Sequence, residues 1–159
     1  MKYLIREAKK EDMTQVLGLI QELAVFEKEP DAVEITEEEL IREGFGEQPL
    51  FNCFVAEVDG EIAGIALFYY RFSTWKGRSI HLEDLVVKNS MQGMGIGKGL
   101  YGKVLKYAQS KGVKRVEWVV LDWNKNAIDF YEKSGARFLK DWYLVQMDQD
   151  GLNRYVASL

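Results

Sequence analysis

What the chain holds little of narrows it first. One cysteine, Cys53, means that no disulfide can close within the chain and no cysteine-rich metal site can be assembled. One histidine, His81, excludes a His-rich metal centre, and any Ser-His-Asp triad would have to use that residue. With two prolines in 159 residues there is no Pro-rich linker, and no repeat or low-complexity tract divides the chain. The longest nearly apolar run, residues 62–70, is far short of the roughly 20 residues that span a bilayer. The net charge is −4 and no basic block is present to neutralise a nucleic-acid backbone. Residues 1–6 lack the apolar core of a signal peptide. These absences lead us to expect one domain in a reducing cytoplasm, with no metal, nucleic-acid or membrane partner.

What is present is enough for a packed core: 47% of residues are hydrophobic and 13% aromatic. Periodicity predicts a strand over residues 3–7 and then a helix with Met13, Val16, Leu17, Ile20, Leu23 and Ala24 on one face. Thr36 to Glu39 reads as a capping box opening a short helix that Gly44 closes. Strands over 51–58 and 62–72 are joined at Asp59-Gly60, a two-residue hairpin signal, and a third strand over 79–87 follows a turn at Trp75-Lys76-Gly77. A helix then reaches Lys111 and ends at Gly112; residues 115–121 read as a strand buried on both faces. A short helix over 126–134 stops at Gly135, and 137–147 alternates as a strand. Periodicity leaves 148–159 undecided between a turn with a strand and a short helix. The order is mixed α/β, with a βαβ unit in its second half.

The chain is arranged around Met91, Gln92, Gly93, Met94, Gly95, Ile96, Gly97 and Lys98, a glycine-rich turn between the strand over 79–87 and the following helix. Glycines at every second position let the backbone turn tightly, and the helix start adds unpaired N–H groups and the positive end of its dipole. Such a turn suits a phosphate or pyrophosphate. A P-loop is disfavoured, because Gln92 stands where its first glycine belongs and Gly99 follows Lys98. A dinucleotide fingerprint occurs literally as Gly97, Gly99 and Gly102, with Asp122 about twenty residues on, but Gly97 falls well past the strand and inside the helical pattern.

Gln92-x-x-Gly95-x-Gly97 resembles the pyrophosphate-binding motif of the Gcn5-related N-acetyltransferases (GNAT), and the order of elements is similar along nearly the whole chain. His81-Leu82-Glu83-Asp84-Leu85-Val86-Val87, Gly44-Phe45-Gly46-Glu47, Glu22-Leu23-Ala24 and Trp123-Asn124…Phe130-Tyr131…Gly135-Ala136 look like the spermidine/spermine acetyltransferases and their thialysine-acetylating relatives. The resemblance implies a single-domain α/β fold, with a mixed sheet of about six to seven strands flanked by about four helices. It implies acetyl-CoA as co-substrate, held by Gln92, Gly93, Met94, Gly95, Ile96, Gly97 and Lys98, with Asn124, Asn126 and Ala127 beside it. It implies an oxyanion met by backbone N–H groups of Leu85, Val86 and Val87, Glu83 as a general base acting through water, and Tyr131 as general acid. Phe26, Glu27, Glu83 and Asp84 would contact the amine, and a homodimer is implied.

Each residue also has a plainer reading. Glu83 and Asp84 are adjacent on a strand, so alternation sends them to opposite faces and only one should meet the substrate; both could be solvated strand-end carboxylates. Phe130-Tyr131 could be an aromatic helix face, Asn124 and Asn126 helix caps, and Lys98 a solvated helix residue. His81 shares a strand face with Glu83 and is either an alternative base or structural. Cys53 reads as an inert core thiol. Residues 73–76 and 140–142 hold fewer acids than a spermine site wants, which favours a thialysine-like amino acid or a short diamine. The alternatives are an acetyltransferase of this family acting on a peptide or antibiotic amine and, from other classes, a non-catalytic acyl-CoA sensor and a dinucleotide-dependent oxidoreductase.

Overall fold

Asp59 and Gly60 adopt φ of 49° and 82°, the left-handed pair that a two-residue hairpin requires, and they join β2 (Asn52–Val58) to β3 (Glu61–Ser73). In this computed structural model, which describes residues 2–159, the hairpin is the centre of a five-stranded sheet. Its order is β1 (Leu4–Glu7), β2, β3, β4 (Gly77–Val87), β5 (Val116–Glu117), antiparallel except for the parallel β4–β5 pair. The chain divides into two compact units, Met1–Val119 and Val120–Leu159, and the sheet belongs to the first.

The two faces of the sheet are covered by different helices. Buried Met13, Val16 and Leu19 of α1 (Met13–Phe26) and Leu40 of α2 (Glu37–Phe45) pack with Cys53, Val55, Ile65 and Leu67. On the other face lies α3 (Ile96–Ser110), with Ile96, Leu100 and Val104 buried. Gly64 lets α3 settle onto β3, since a Cβ there would stand 3.0 Å from Leu100 and 3.1 Å from Ile96. Thr36 caps α2 by accepting the Glu39 N–H at 3.2 Å, as its sequence predicts. Gly44 does not end that helix, which runs to Phe45. Its small size is needed because the Phe51 ring lies against it, 2.3 Å from where a Cβ would be.

The second unit carries α4 (Lys125–Lys133), capped by Asn124, and α5 (Gln149–Ala157), capped by Asp148, whose Oδ1 accepts the Gly151 N–H at 2.8 Å. The C-terminal stretch is thus helical. The class is mixed α/β as expected, but the sheet has five strands among the described residues where six to seven were expected, with five α-helices instead of four. One strand accounts for the difference from six. Residues 137–147 form no strand, and of residues 115–121 only Val116 and Glu117 pair, as a shortened β5. Alternation supplies a side-chain pattern, but a strand persists only where a neighbouring backbone completes its ladder, and none does here.

Candidate active site

The β3–β4 ladder breaks in register where chemistry is expected. Leu67 pairs with Asp84 and Phe68 with Leu82, so Glu83 has no partner across the ladder. This is a β-bulge, and the extra residue resets the alternation of β4. Asp84, opposite Leu67, and His81, opposite Tyr69, therefore lie on one face. Glu83 joins them: its Oε2 accepts the Tyr69 hydroxyl at 2.8 Å and lies 3.3 Å from His81 Nε2. The expectation that alternation parts Glu83 from Asp84 is thus corrected, because it assumed an unbroken strand.

The two carboxylates differ in environment. Burial, reinforced by the charges of Glu83 and Glu27, pushes the Asp84 carboxyl up to about 6, into the range of a base working near neutrality. Glu27, at the end of α1, is itself raised by burial. Glu83 is about half exposed. Burial, then the bond to Glu83, pushes the Tyr69 phenol up to about 12, so it remains a proton donor at neutral pH. Burial, with the charge of Asp84, pushes the Cys53 thiol up to about 12, which leaves no thiolate for acyl transfer. Phe26 is 48% exposed at the end of α1, one residue before Glu27.

Beyond the bulge, Leu85, Val86 and Val87 pair with Ala66, Ile65 and Gly64 along one edge of β4. Strand β5 accompanies β4 only at Ile80 and His81, so no strand covers the other edge of residues 85–87 among the described residues. Backbone N–H groups there remain available to a ligand.

A 3-10 turn, Asn89–Met91, leads from β4 to the glycine-rich segment. Gly93 and Gly95 take φ of 84° and 80°, and Gly95 is the N-cap of α3, so the turn depends on left-handed backbone at both. Four hydrogen bonds brace it. Asn89 N–H donates to Glu22 Oε1 at 2.7 Å, Tyr3 donates to the Gly95 carbonyl at 3.1 Å, and Gln92 Nε2 reaches back to Asn89 Oδ1 at 3.2 Å and the Val87 carbonyl at 3.5 Å. Gln92 therefore holds the turn from within. The N–H groups that open α3, from Ile96 through Lys98, have no acceptor in the preceding turn of helix, and open space adjoins Gly93. These residues fit a pyrophosphate. Gly97, Gly99 and Gly102 all lie inside α3, so no strand-to-helix turn carries the dinucleotide fingerprint.

Sequence reasoning missed Tyr3, Tyr69, Arg71 and Glu117. Tyr3 also explains Gly99, where a Cβ would stand 2.7 Å from its hydroxyl oxygen. The signal for Tyr69 lay in the hairpin register, which places it opposite His81.

The remaining candidates lie in the second unit. Asn124 accepts the Ala127 N–H at 3.4 Å and caps α4, while Asn126 is exposed in the first turn. Tyr131 is buried, its ring centroid 5.5 Å from that of Phe130, and its carbonyl accepts from the Ser134 hydroxyl at 2.7 Å.

A mixed sheet whose fourth and fifth strands part beside a glycine turn defines an acyltransferase-like class of protein. Residues 19–136 match the acetyltransferase (GNAT) family. Thialysine N-epsilon-acetyltransferase of Bos taurus is 42% identical over 166 residues, covering 98% of each chain. Human spermidine/spermine N(1)-acetyltransferase-like protein 1 is 33% identical over 94% of this chain and 23% of its own. Among solved structures, an integron cassette protein from the mobile metagenome of V. cholerae, 23% identical and covering 98% of each chain, superposes with a TM-score of 0.80. The chain belongs to the acetyltransferase (GNAT) family and is an N-acetyltransferase acting on amines.

Proposed function

We propose that this N-acetyltransferase uses acetyl-CoA to acetylate the primary amine of a small cationic substrate, a thialysine-like amino acid or a short diamine, by direct attack in a ternary complex. The observation that carries this reading is the gathering of Glu83 and Asp84 on one face by the bulge, with Glu27 close enough to raise Asp84 further. An ammonium drawn from water needs such counter-charges, and it must lose a proton before it can attack. The thialysine-acetylating relatives support the substrate class.

Acetyl-CoA, when bound, supplies the thioester carbonyl that the amine attacks. Residues 92–98 would hold its pyrophosphate through backbone N–H groups, Lys98 adding a positive charge, with Asn124, Asn126 and Ala127 serving the rest of the cofactor. Leu85, Val86 and Val87 offer backbone N–H groups to the developing oxyanion. Glu83 accepts the ammonium proton through water, and Phe26, Glu27 and Asp84 orient the amine. Tyr131, a phenol with a pKa of about 10 in water, would protonate the departing thiolate, whose pKa is about 8.5. The buried thiol of Cys53 favours direct transfer over an acyl-cysteine.

A second reading of the base has its own support, since Asp84 is the carboxylate pushed up to about 6. The reading extends to a cytoplasmic homodimer, supported by an unpaired cysteine and by exposed Trp142, Tyr143, Leu144 and Val145 in the second unit. Sedimentation of the purified protein checks the dimer.

The deciding experiment follows coenzyme A release with a thiol-reactive dye, against thialysine, lysine, ornithine, putrescine, spermidine, spermine and aryl amines. Saturable turnover on thialysine or a short diamine is expected. Acetyl-CoA binding without turnover on any amine would instead support a sensor.

A further inference from the structure

We propose that His81 is a positioning residue which, held as a single neutral tautomer by Arg71, occupies one oxygen of Glu83 together with Tyr69 and leaves the other as the proton acceptor. This deepens the proposed function and rests on the reading of Glu83 as the base.

The inference follows from which atoms can donate. A guanidinium has five N–H donors and no acceptor. Arg71 Nη1 lies 3.2 Å from His81 Nδ1, so Nδ1 is the acceptor and the proton of the neutral imidazole sits on Nε2. Nε2 faces Glu83 Oε2 at 3.3 Å, and the Tyr69 hydroxyl donates to that same oxygen at 2.8 Å. The Tyr69 hydroxyl hydrogen-bonds Oε2 and the Nε2 edge of His81 lies at ion-pair distance from that same oxygen, while Oε1 has no hydrogen-bond partner among the described residues. The tyrosine and histidine rings lie side by side across the β3–β4 ladder, centroids 5.3 Å apart, which fixes the imidazole plane.

Arg71 is anchored in turn. Its Nη1 is 2.8 Å from Glu117 Oε1 on β5, and Glu117 is 3.6 Å from Arg115 Nε. The chain Glu117, Arg71, His81, Glu83, Tyr69 thus crosses three strands on one face. The charged and titratable groups around His81 are Tyr69 and Arg71 from β3, Glu83 and Asp84 from β4, Glu117 and Arg115 at β5, and Glu27 from α1. Arg71 fills the Nδ1 side of the ring and Glu83 faces the Nε2 side, so each ring nitrogen has its own neighbour.

His81 is the sole histidine in the sequence, so a long-range 1H–15N spectrum of untagged protein reports it without assignment. The expected pattern of the neutral ring is the Nε2–H tautomer, with Arg71→Met giving a mixture of tautomers. An Nδ1–H pattern, or averaging in the unaltered protein, overturns the proposal. In turnover assays His81→Leu is expected to lower kcat about tenfold with KM for acetyl-CoA unchanged. His81→Gln, which keeps an N–H at that reach, is expected to restore kcat to within about twofold. Equal activity of the Leu and Gln variants, or an effect confined to KM, would refute a positioning role. A protein inactive on every amine defeats the proposed function separately, while the tautomer pattern still decides the arrangement around Glu83.

Discussion

Two regions of the first unit differ in what they present, backbone N–H groups in one and carboxylates in the other. The turn over residues 92–99 offers backbone N–H groups, and its amide side chain, Gln92, folds back onto Asn89 and Val87. The face around the bulge offers carboxylates in different settings: Asp84 is buried beside Glu83 and Glu27, which raises its carboxyl, and Glu83 is half exposed with Tyr69 and His81 at one oxygen. A backbone site suits an invariant anion that must simply be held. A side-chain site suits a group that has to lose a proton, because only titratable side chains can take one.

That contrast breaks most sharply at Glu83. Glu83→Gln keeps the shape and both contacts at Oε2 but removes the acceptor, and kcat is expected to fall about 100-fold with KM for acetyl-CoA little changed. Steady-state kinetics over a range of pH checks this. A near-normal kcat in this variant, with a large loss in Asp84→Asn, would transfer the base role to Asp84.

At the turn the opposite signature is expected. In Gly99→Val the new Cβ would meet the Tyr3 hydroxyl oxygen at 2.7 Å, so either Tyr3 or the start of α3 must shift. KM for acetyl-CoA is expected to rise about tenfold while kcat stays within about twofold, since the interaction lost is uniform binding. A fall in kcat at unchanged KM would show that the turn also shapes the reacting end.

The same contrast explains what could be read in advance. Glycine positions needing left-handed backbone are written directly into the residue types, so Gly93, Gly95 and the α3 start were visible, as were the Asp59-Gly60 hairpin and the Thr36 cap. The bulge was not. A single extra residue leaves composition and alternation nearly intact yet turns Asp84 onto the face of His81, and only the register with β3 reveals it. Tyr69 and Arg71 escaped for the same reason, since their partners lie across strands. Residues 137–147 alternate as a strand would, but pattern cannot report whether a neighbouring backbone completes the ladder.

Asp84 tests the comparison through stability. An aspartate ionises near 3.9 in an unfolded chain, whereas Asp84 is pushed up to about 6, so the native state disfavours its charged form. The stabilisation from this group is complete below about pH 4 and is lost as pH rises through 6. Asp84→Asn removes that loss and is expected to raise stability at pH 7 by roughly 1–2 kcal/mol, with no gain near pH 3.5. Urea melts at the two pH values check it. A loss of stability at pH 7 would mean that Asp84 makes charge-dependent contacts outweighing its burial.

The smallest effect is expected at Tyr3, which supports the backbone site from outside it. Tyr3→Phe deletes one donor to the Gly95 carbonyl and leaves the ring beside Gly99. The bond is exposed, so water can replace it and the loss in stability should be no more than about 0.5 kcal/mol. That carbonyl, which still accepts the Gly99 N–H at 2.9 Å, belongs to the residue whose left-handed φ sets the direction of the first α3 amides. KM for acetyl-CoA is therefore expected to rise about twofold with kcat unchanged, because a bound anion re-orders most of what the tyrosine held. Isothermal titration with coenzyme A separates the two outcomes. A twofold loss supports a turn pre-organised by Tyr3, whereas an unchanged affinity would assign its rigidity to Glu22 and Gln92 alone.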